Sequence, residues 1–293
     1  MIPASFDYVR PQSLEDALAQ LREHGEDARV LAGGHSLLPV MKARLADPGV
    51  LIDVAGLEDL SGISESEGSE GGVRIGAMTT HAEIEASSLV RGKCYSLVEA
   101  AGAIGDVQVR NRGTLGGSLA HADPAADYPA VVLAAGAEIT VVGADGERVI
   151  GADDFFTGAY ETALRAGEII TSVRIRASAV RGSSAYLKAA QQASGFAVCG
   201  VAARLALDGN GVVASIRVGV TGVAATAYRA TSVENALMGS APSAESIRKA
   251  AAGAGEGVDA LDDFYAGADF RRHLAGVYTA RAIGKAWIRA TGK

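Results

Sequence analysis

Cysteine is scarce in this sequence: Cys94 and Cys199 are the only two among 293 residues. An iron–sulfur cluster of the usual type takes four thiolates, and a cysteine-rich zinc site takes at least a close pair, so the chain alone supplies neither. Both cysteines are expected as small buried apolar groups rather than redox thiols. Positive charge is short as well. With 27 Lys and Arg against 34 Asp and Glu the formal charge is −7, and no basic run offsets it, which excludes nucleic acid as a partner. No uninterrupted apolar stretch reaches membrane-spanning length, the alanine-rich residues 130–137 being far too short. The N-terminus shows no basic region followed by an apolar core, so the cytoplasm is the expected compartment. Familiar catalytic and nucleotide patterns are missing too. There is no Gly-x-Gly-x-x-Gly after the first strand and no Gly-Lys-Ser ending. No Ser/His/Asp triad, usable carboxylate pair or nucleophilic cysteine setting emerges. Any chemistry is therefore expected to rest with a bound cofactor.

Present instead are two double-glycine turns, Ala32-Gly33-Gly34-His35-Ser36 and Thr114-Leu115-Gly116-Gly117-Ser118. Each offers a row of backbone N–H groups with no Cβ in the way, and such a nest holds an anion. Two nests suit the two phosphates of a dinucleotide. Taken singly, the first turn reads equally well as a tight strand-to-helix connection in which Ser36 caps the helix that follows; both readings can hold together, since a helix N-terminus attracts anions.

The chain, 48% apolar and 21% charged, is long enough for two domains with a large core. Ser13, with Asp16 three residues on, predicts a helix over residues 13–24 ended by Gly25, with Leu14, Leu18 and Leu21 as its stripe. Strands are predicted over 28–31 and 50–54, with a helix over 37–45 holding Pro39 in its first turn, a βαβ-like unit closing near Leu57. Residues 61–72, rich in Ser, Glu and Gly, predict a loop or weak hairpin. Further on, a strand is predicted at 73–75, helices over 81–89, 96–104 and 129–135, a hairpin across Asp145-Gly146, and a strand over 169–175. The main boundary is expected at 176–183, where the composition turns small and polar. Beyond it, Asp208-Gly209-Asn210-Gly211 predicts a hairpin between 197–207 and 212–220. Three helices are predicted over 232–238, 244–252 and 270–289, the last with Leu274, Val277 and Tyr278 as its apolar stripe. The pattern is α+β.

Two long signatures carry a resemblance. Leu31-Ala32-Gly33-Gly34-His35-Ser36-Leu37-Leu38-Pro39, continuing to Met41, Lys42 and Arg44, is one; Val109-Arg110-Asn111-Arg112-Gly113-Thr114 through Gly117, His121, Asp123, Pro124 and Asp127 is the other. Pro3-Ala4-Ser5-Phe6-Asp7-Tyr8 and Asp269-Phe270-Arg271-Arg272-His273 extend it almost end to end. In order and spacing these segments resemble the FAD-binding medium subunits of the molybdenum hydroxylases. The resemblance implies a two-subdomain FAD-binding fold of the vanillyl-alcohol oxidase type over 1–177, divided near residue 57, then a C-terminal domain over 183–290 with a three-stranded antiparallel sheet and helices. It implies non-covalent FAD, fed by [2Fe–2S] clusters on a small partner chain and molybdopterin on a large one, in a dimer of three-chain units. Electrons would leave for NAD or a quinone.

Residue by residue, the resemblance places Leu31, Ala32, Gly33, Gly34, His35, Ser36, Leu37 and Leu38 on the cofactor from one side and Thr114, Leu115, Gly116, Gly117 and Ser118 from the other. Position 118, Ser here, often carries Asp or Asn in that family. Asp127 matches an aspartate that reaches a cofactor hydroxyl, or else caps the helix beginning near Pro129. Lys188 matches a lysine near the flavin ring, and Ile104 and Ile170 match apolar positions beside the cofactor. Asp123, ahead of Pro124, reads as a turn residue. His35, His81 and His121 show no metal-ligand spacing. Arg110 and Arg112 read equally as charge partners of a pyrophosphate and as solvated or partner-facing cations. Two rival functions stand beside the electron-transfer subunit: a free-standing flavin-dependent oxidoreductase, and a flavin-free structural subunit of the same complex.

Overall fold

In the computed structural model, which describes residues 2–66, 71–176 and 182–292, three apolar cores organise the chain. The first is a small βαβ unit. Strand β1 (Asp7–Val9) leads into helix α1 (Leu14–His24). The Ser13 hydroxyl accepts from the Asp16 N–H at 3.1 Å, and Gly25, at φ +52°, stops the helix. Then come β2 (Ala28–Leu31), α2 (Leu37–Lys42) and β3 (Val50–Asp53), with β1 and β2 each parallel to the central β3. Pro39 lies in the first turn of α2, where its missing N–H has no partner to lose.

The second unit starts with β4 (Ile63–Glu65) and β5 (Gly72–Gly76), paired antiparallel where a weak hairpin was expected. The single helix predicted over 81–89 is two, α3 (His81–Ala86) and α4 (Ser88–Lys93). Ser87 interrupts it: its backbone is extended and its hydroxyl accepts from Val90 N–H at 3.2 Å, the competition that makes serine a better cap than helix interior. Helix α5 (Tyr95–Ala103) follows, then two short helices the pattern did not reveal, α6 (Val107–Arg110) and α7 (Leu115–His121), then α8 (Tyr128–Ala135). Strands β6 (Glu138–Gly143) and β7 (Gly146–Gly151) pair across Asp145-Gly146, β8 (Phe156–Gly158) and β9 (Glu161–Thr162) form a small ribbon, and β10 (Ile169–Arg176) completes a five-stranded sheet in the order β4-β5-β10-β6-β7. All eight residues of α8 are buried, as its apolar composition demands.

The expected boundary at 176–183 falls largely on residues 177–181, outside those described. The third unit opens with the long meander β11 (Gly182–Ala190), β12 (Ala197–Leu207) and β13 (Val213–Thr221). The three-stranded sheet expected here has a fourth member, β14 (Tyr228–Arg229), two residues that pair with Gly219 and Val220. Helices α9 (Thr231–Leu237), α10 (Ala244–Ala251) and α11 (Ala268–Thr291) cover it. On α11 the buried face is Arg271, Ala275, Thr279, Ala282, Ile283 and Ala286; the expected Leu274, Val277 and Tyr278 stripe is only half-buried at its flank. Small residues face the sheet because they let the helix approach it closely.

Arginines from the third unit fasten it to the second. Arg204 donates to the Ala135 carbonyl at 3.1 Å and Arg217 to that of Leu133 at 2.9 and 3.0 Å, two carbonyls in the last turn of α8, the end of a helix that attracts cations. Farther along, Glu99 on α5 accepts from Arg289 at 2.5 Å, Lys285 at 2.7 Å and the Tyr186 N–H at 2.8 Å, while the Arg289 guanidinium lies 4.2 Å from the Tyr95 ring centroid. Truncating Glu99 leaves these donors unpaired at a largely buried junction. Glu99→Ala is expected to lower unfolding free energy by about 1–3 kcal/mol. Glu99→Gln, which keeps an acceptor for Tyr186, should lose less; urea titration of both variants measures the difference, and an unchanged midpoint for the alanine variant would show the clamp to be idle.

Candidate cofactor site

Where β2 ends, the chain turns through Ala32, Gly33, Gly34, His35 and Ser36 before α2 begins. Gly34 takes φ +75°, which favours glycine. His35 Nδ1 and the Gly33 carbonyl are 3.0 Å apart, the ring N–H donating. Ser36 occupies the N-cap position of α2 but its hydroxyl makes no capping bond. Among the described residues no acceptor meets the backbone N–H of Gly33, Gly34, His35 or Ser36. All four residues line a cleft of about 600 Å³. Opposite them the backbone of the second signature comes within touching distance: a Cβ on Gly33 would lie 2.2 Å from the Arg112 carbonyl oxygen and 2.9 Å from Gly113 Cα. Neither obstacle is a movable side chain.

The second double glycine is built differently from the nest its sequence suggests. Gly116 and Gly117 lie in the first turn of α7, neither with positive φ, and Thr114 caps that helix by accepting from the Gly117 N–H at 3.1 Å. The Leu115 N–H goes to the Thr79 carbonyl at 3.0 Å and that of Gly116 to Ala77 at 2.8 Å. These N–H groups are already satisfied inside the protein. What glycine supplies here is approach: a Cβ on Gly116 would sit 2.5 Å from that of Ala77. Gly116 and Gly117 thus give the cleft a stretch of wall without Cβ bulk, flanked by Thr114 and Ser118, and among these two turns the free backbone donors are those of the first.

The other expected site residues divide. Ala32, Leu37, Ile104, Asp127 and Ile170 line the cleft; Leu31, Leu38, Leu115 and Lys188 do not. Leu115 is in the core, and methyls of Leu31 and Leu38 pack behind Gly34. Asp127 makes no cap bond to α8. Its carboxylate is almost wholly buried and is held by the Tyr186 hydroxyl at 2.5 Å and by Lys188 Nζ at 2.9 Å. Burial pushes the Asp127 carboxyl up from its ordinary value, while the Lys188 ammonium and Tyr186 hydroxyl pull it back. Lys188 also donates to the Gly195 carbonyl at 2.6 Å, and so ties the Asp127 carboxylate to the β11–β12 turn at the cleft edge. Asp123 accepts from the Ala125 N–H at 2.8 Å, the turn role expected of it. Arg110 pairs with Glu85 at 2.9 Å.

Several lining residues had no signal in the sequence. Tyr160, at φ +59°, sets its ring 5.2 Å from that of His121; Phe196 is about half exposed at the cleft edge. His81, left without a role above, also lines the cleft. It is 4% exposed, and its Nδ1 lies 3.0 Å from the hydroxyl of the fully buried Tyr128. Burial, with the nearby charges of His35 and Arg110, lowers the His81 pKa to about 4. Both cysteines are buried, as expected, and among the described residues no group of three His, Cys, Asp or Glu side chains is placed to hold a metal.

A row of unpartnered N–H groups, a second backbone crossing it with no Cβ between, and a cleft within the range of roughly 300–1,000 Å³ usual for cofactors define a dinucleotide-cofactor protein. Comparison with known proteins makes the class specific. Residues 4–177 match the FAD binding domain in molybdopterin dehydrogenase, and residues 184–286 the CO dehydrogenase flavoprotein C-terminal domain. The carbon monoxide dehydrogenase medium chain of Hydrogenophaga pseudoflava is 40% identical over 289 residues, 99% of each chain. The solved carbon monoxide dehydrogenase of that organism, in a form lacking the Mo-pyranopterin moiety, superposes with a TM-score of 0.94 at 41% identity, covering 99% of both chains. Quinoline 2-oxidoreductase from Pseudomonas putida 86 gives 0.91 at 33% identity, again over 99% of both. The chain belongs to the FAD-binding medium-subunit family of the molybdenum hydroxylases. Its cofactor is FAD, and the donor row and glycine wall fit that cofactor's anionic centre. Among the described residues no helix is long and apolar enough to cross a membrane.

Two outcomes follow from this geometry. Gly33→Ala drives a Cβ into backbone, so flavin content per chain, read from visible absorbance, should fall close to zero. His35→Ala removes only a ring and should retain most of it; full flavin content in Gly33→Ala would show that the crossing is not needed for binding. The second outcome concerns acid. The folded His81 pKa of about 4 lies below its unfolded value of 6.5, so between them the unfolded chain binds more protons. The stability tied to neutral His81 is whole above about pH 6.5 and is lost as pH falls toward 4, roughly 3 kcal/mol in all. In denaturant titrations of the FAD-free chain across that window, His81→Phe should lose stability less steeply than wild type; parallel slopes would contradict the assignment.

Proposed function

We propose that this chain is the electron outlet of a three-chain hydroxylase: it takes electrons from [2Fe–2S] clusters on a small partner chain, which a large molybdopterin chain supplies, and passes them to NAD or a quinone. Two such three-chain units would pair in the full assembly. The relatives' own names support the first part, since they are medium chains of dehydrogenases. The observation that carries the reading is an inventory. The chain has an anion-cradling cleft, yet Cys94 and Cys199 are buried in two different cores and cannot relay electrons together.

FAD, when bound without a covalent link, supplies the group that accepts and releases electrons. The chain's residues bind and orient it. The N–H groups of Gly33, Gly34, His35 and Ser36 hold the diphosphate, and the wall from Thr114 to Ser118 lets it approach. Asp127 accepts from a hydroxyl of the cofactor, held for that purpose by Tyr186 and Lys188. Ile104 and Ile170 exclude water beside it. Lys188 in this arrangement is a positioning residue acting through Asp127. The division at residues 1–177 and 183–290 belongs to the same proposal, with Asp127 and Lys188 contributed from opposite sides of it.

Reconstitution tests this reading. The FAD-loaded chain alone should be bleached by dithionite and left unchanged by an aldehyde, a purine or an aromatic N-heterocycle. Bleaching by the organic substrate of the complex should need both partner chains. Rapid bleaching of the lone chain by such a substrate would favour a free-standing flavoenzyme instead.

A further inference from the structure

The cleft contains one buried titratable side chain that the reading above leaves without work. His81 begins α3, immediately after Thr80, whose hydroxyl and the Glu83 carboxylate cap that helix reciprocally, so the residue is rigidly placed. Its backbone N–H donates to the Gly113 carbonyl at 3.0 Å. The ring stands edge-on to Tyr128, centroids 5.2 Å apart.

Two nitrogens and one hydroxyl must share their protons. The Tyr128 hydroxyl is fully buried, and among the described residues His81 Nδ1 is its one hydrogen-bond partner. If Nδ1 carried the proton, the tyrosine hydrogen would be stranded in an apolar core, and an orphaned buried donor is the costlier error. The hydroxyl therefore donates to Nδ1, and burial keeps it protonated by raising the Tyr128 pKa well above its ordinary value. Neutral imidazole then has its single N–H on Nε2. Among the described residues no acceptor meets that N–H.

Nε2 stands beside the place where the two signatures cross. A Cβ on Gly113 would lie 2.5 Å from Nε2 and 2.9 Å from the adjoining ring carbon, and a Cβ on Gly33 would lie 2.9 Å from Gly113 Cα. Gly113 thus packs against both the imidazole and the turn with the unpartnered N–H row, and all three line the same cleft. Burial and the neighbouring His35 and Arg110 keep the ring neutral at ordinary pH, so what it offers is a fixed donor rather than a cation.

We infer that His81 is a cofactor-binding residue whose Nε2–H, directed by the Tyr128 hydroxyl on the opposite ring nitrogen, donates to an anionic oxygen of the FAD diphosphate held by the Gly33 to Ser36 turn. Tyr128 touches no cofactor and acts as a positioning residue. The inference rests on the FAD assignment of the cleft.

The test uses the full chain with and without FAD. Long-range proton–nitrogen correlation on the histidine-labelled protein should show His81 protonated at Nε2, with that nitrogen shifting on FAD addition. His81→Phe, which keeps a ring and loses the donor, should weaken FAD binding about ten-fold or more. Tyr128→Phe, which frees the ring to adopt either tautomer, should weaken it a few-fold. Protonation at Nδ1 in the FAD-loaded wild type would overturn the inference, even if the variants failed to fold. So would a His81→Phe chain with wild-type FAD affinity and only a lowered melting temperature, the signature of packing alone. A wild-type chain that took up no FAD would instead remove the site itself, and this inference with it.

Discussion

The close crossing of two backbones, Gly33 over the Arg112–Gly113 peptide, is the constraint on which the site depends. A single Cβ at Gly33 would stand 2.2 Å from a carbonyl oxygen, so the two signatures can meet only as bare main chain. Each is anchored from behind by a separate core. Behind the first turn lies the βαβ unit, with Val50 and Ile52 in its core; behind the second lie α7 and α8 against the five-stranded sheet. The crossing is thus where the cores are brought into register, and the cleft opens from it. Packed interiors transmit such strain poorly into slack. A displacement at Gly33 moves a wall of the cleft.

The two double glycines look alike and do opposite things. At the first, the strand has ended and the helix has not begun, so four N–H groups are left without internal acceptors. At the second, the helix has begun, and carbonyls of Ala77 and Thr79 reach its first N–H groups from the loop after β5. In the first pair Gly34 supplies a positive φ and Gly33 close approach, whereas in the second both glycines keep ordinary φ and Gly116 serves approach. The chemical result is asymmetry: a backbone donor row on one side, an unencumbered surface on the other, with His81 lining the cleft beside Gly113. In the proposed arrangement a dinucleotide would lie between them with its anionic centre next to the donor row.

Much of this was legible in the sequence because it is local. Ser13 with Asp16, Pro39, Asp145-Gly146 and Asp208-Gly209-Asn210-Gly211 act within a few residues of themselves, and the elements they mark are present, although α2, expected over 37–45, ends at Lys42. What escaped is what depends on distant partners. Helices α6 and α7 are too short to show a period. The fate of the Gly116 N–H is set by Ala77, and that of the His81 tautomer by Tyr128, 47 residues away. The pairing of Lys188 with Asp127, 61 residues earlier, has no local signal either. The buried face of α11 was misjudged since large apolar residues draw attention, whereas a helix lying close on a sheet buries its alanines. The short β14 is likewise a tertiary product: it pairs with β13, the Tyr228 hydroxyl donates to the Ala254 carbonyl, and Arg229 pairs with Glu234 and Asp153.

The third unit is bound to the cleft through one short segment. The carbonyls of Pro124 and Ala126 accept from the Thr221 hydroxyl at 2.9 and 2.8 Å, Pro124 also from the Gly222 N–H at 2.8 Å, and Ala125 from Ala197 N–H at 3.1 Å. Asp127, the next residue, enters the cleft. On the far side of the same junction, buried Arg271 donates to the carbonyls of Val198 and Gly222 at 2.9 and 2.5 Å and pairs with Asp263 at 2.6 Å. A guanidinium buried this way is expensive unless every donor is used, and its carbonyl partners flank the strands that reach residues 124–126. The C-terminal sheet therefore does more than append itself to a finished flavin domain. Its strand ends fix the main chain that presents Asp127, while Tyr186 and Lys188 from β11 fix that carboxylate's two oxygens. Cofactor wall and domain contact are one hydrogen-bonded structure, so a force applied to the third unit reaches the cleft through it.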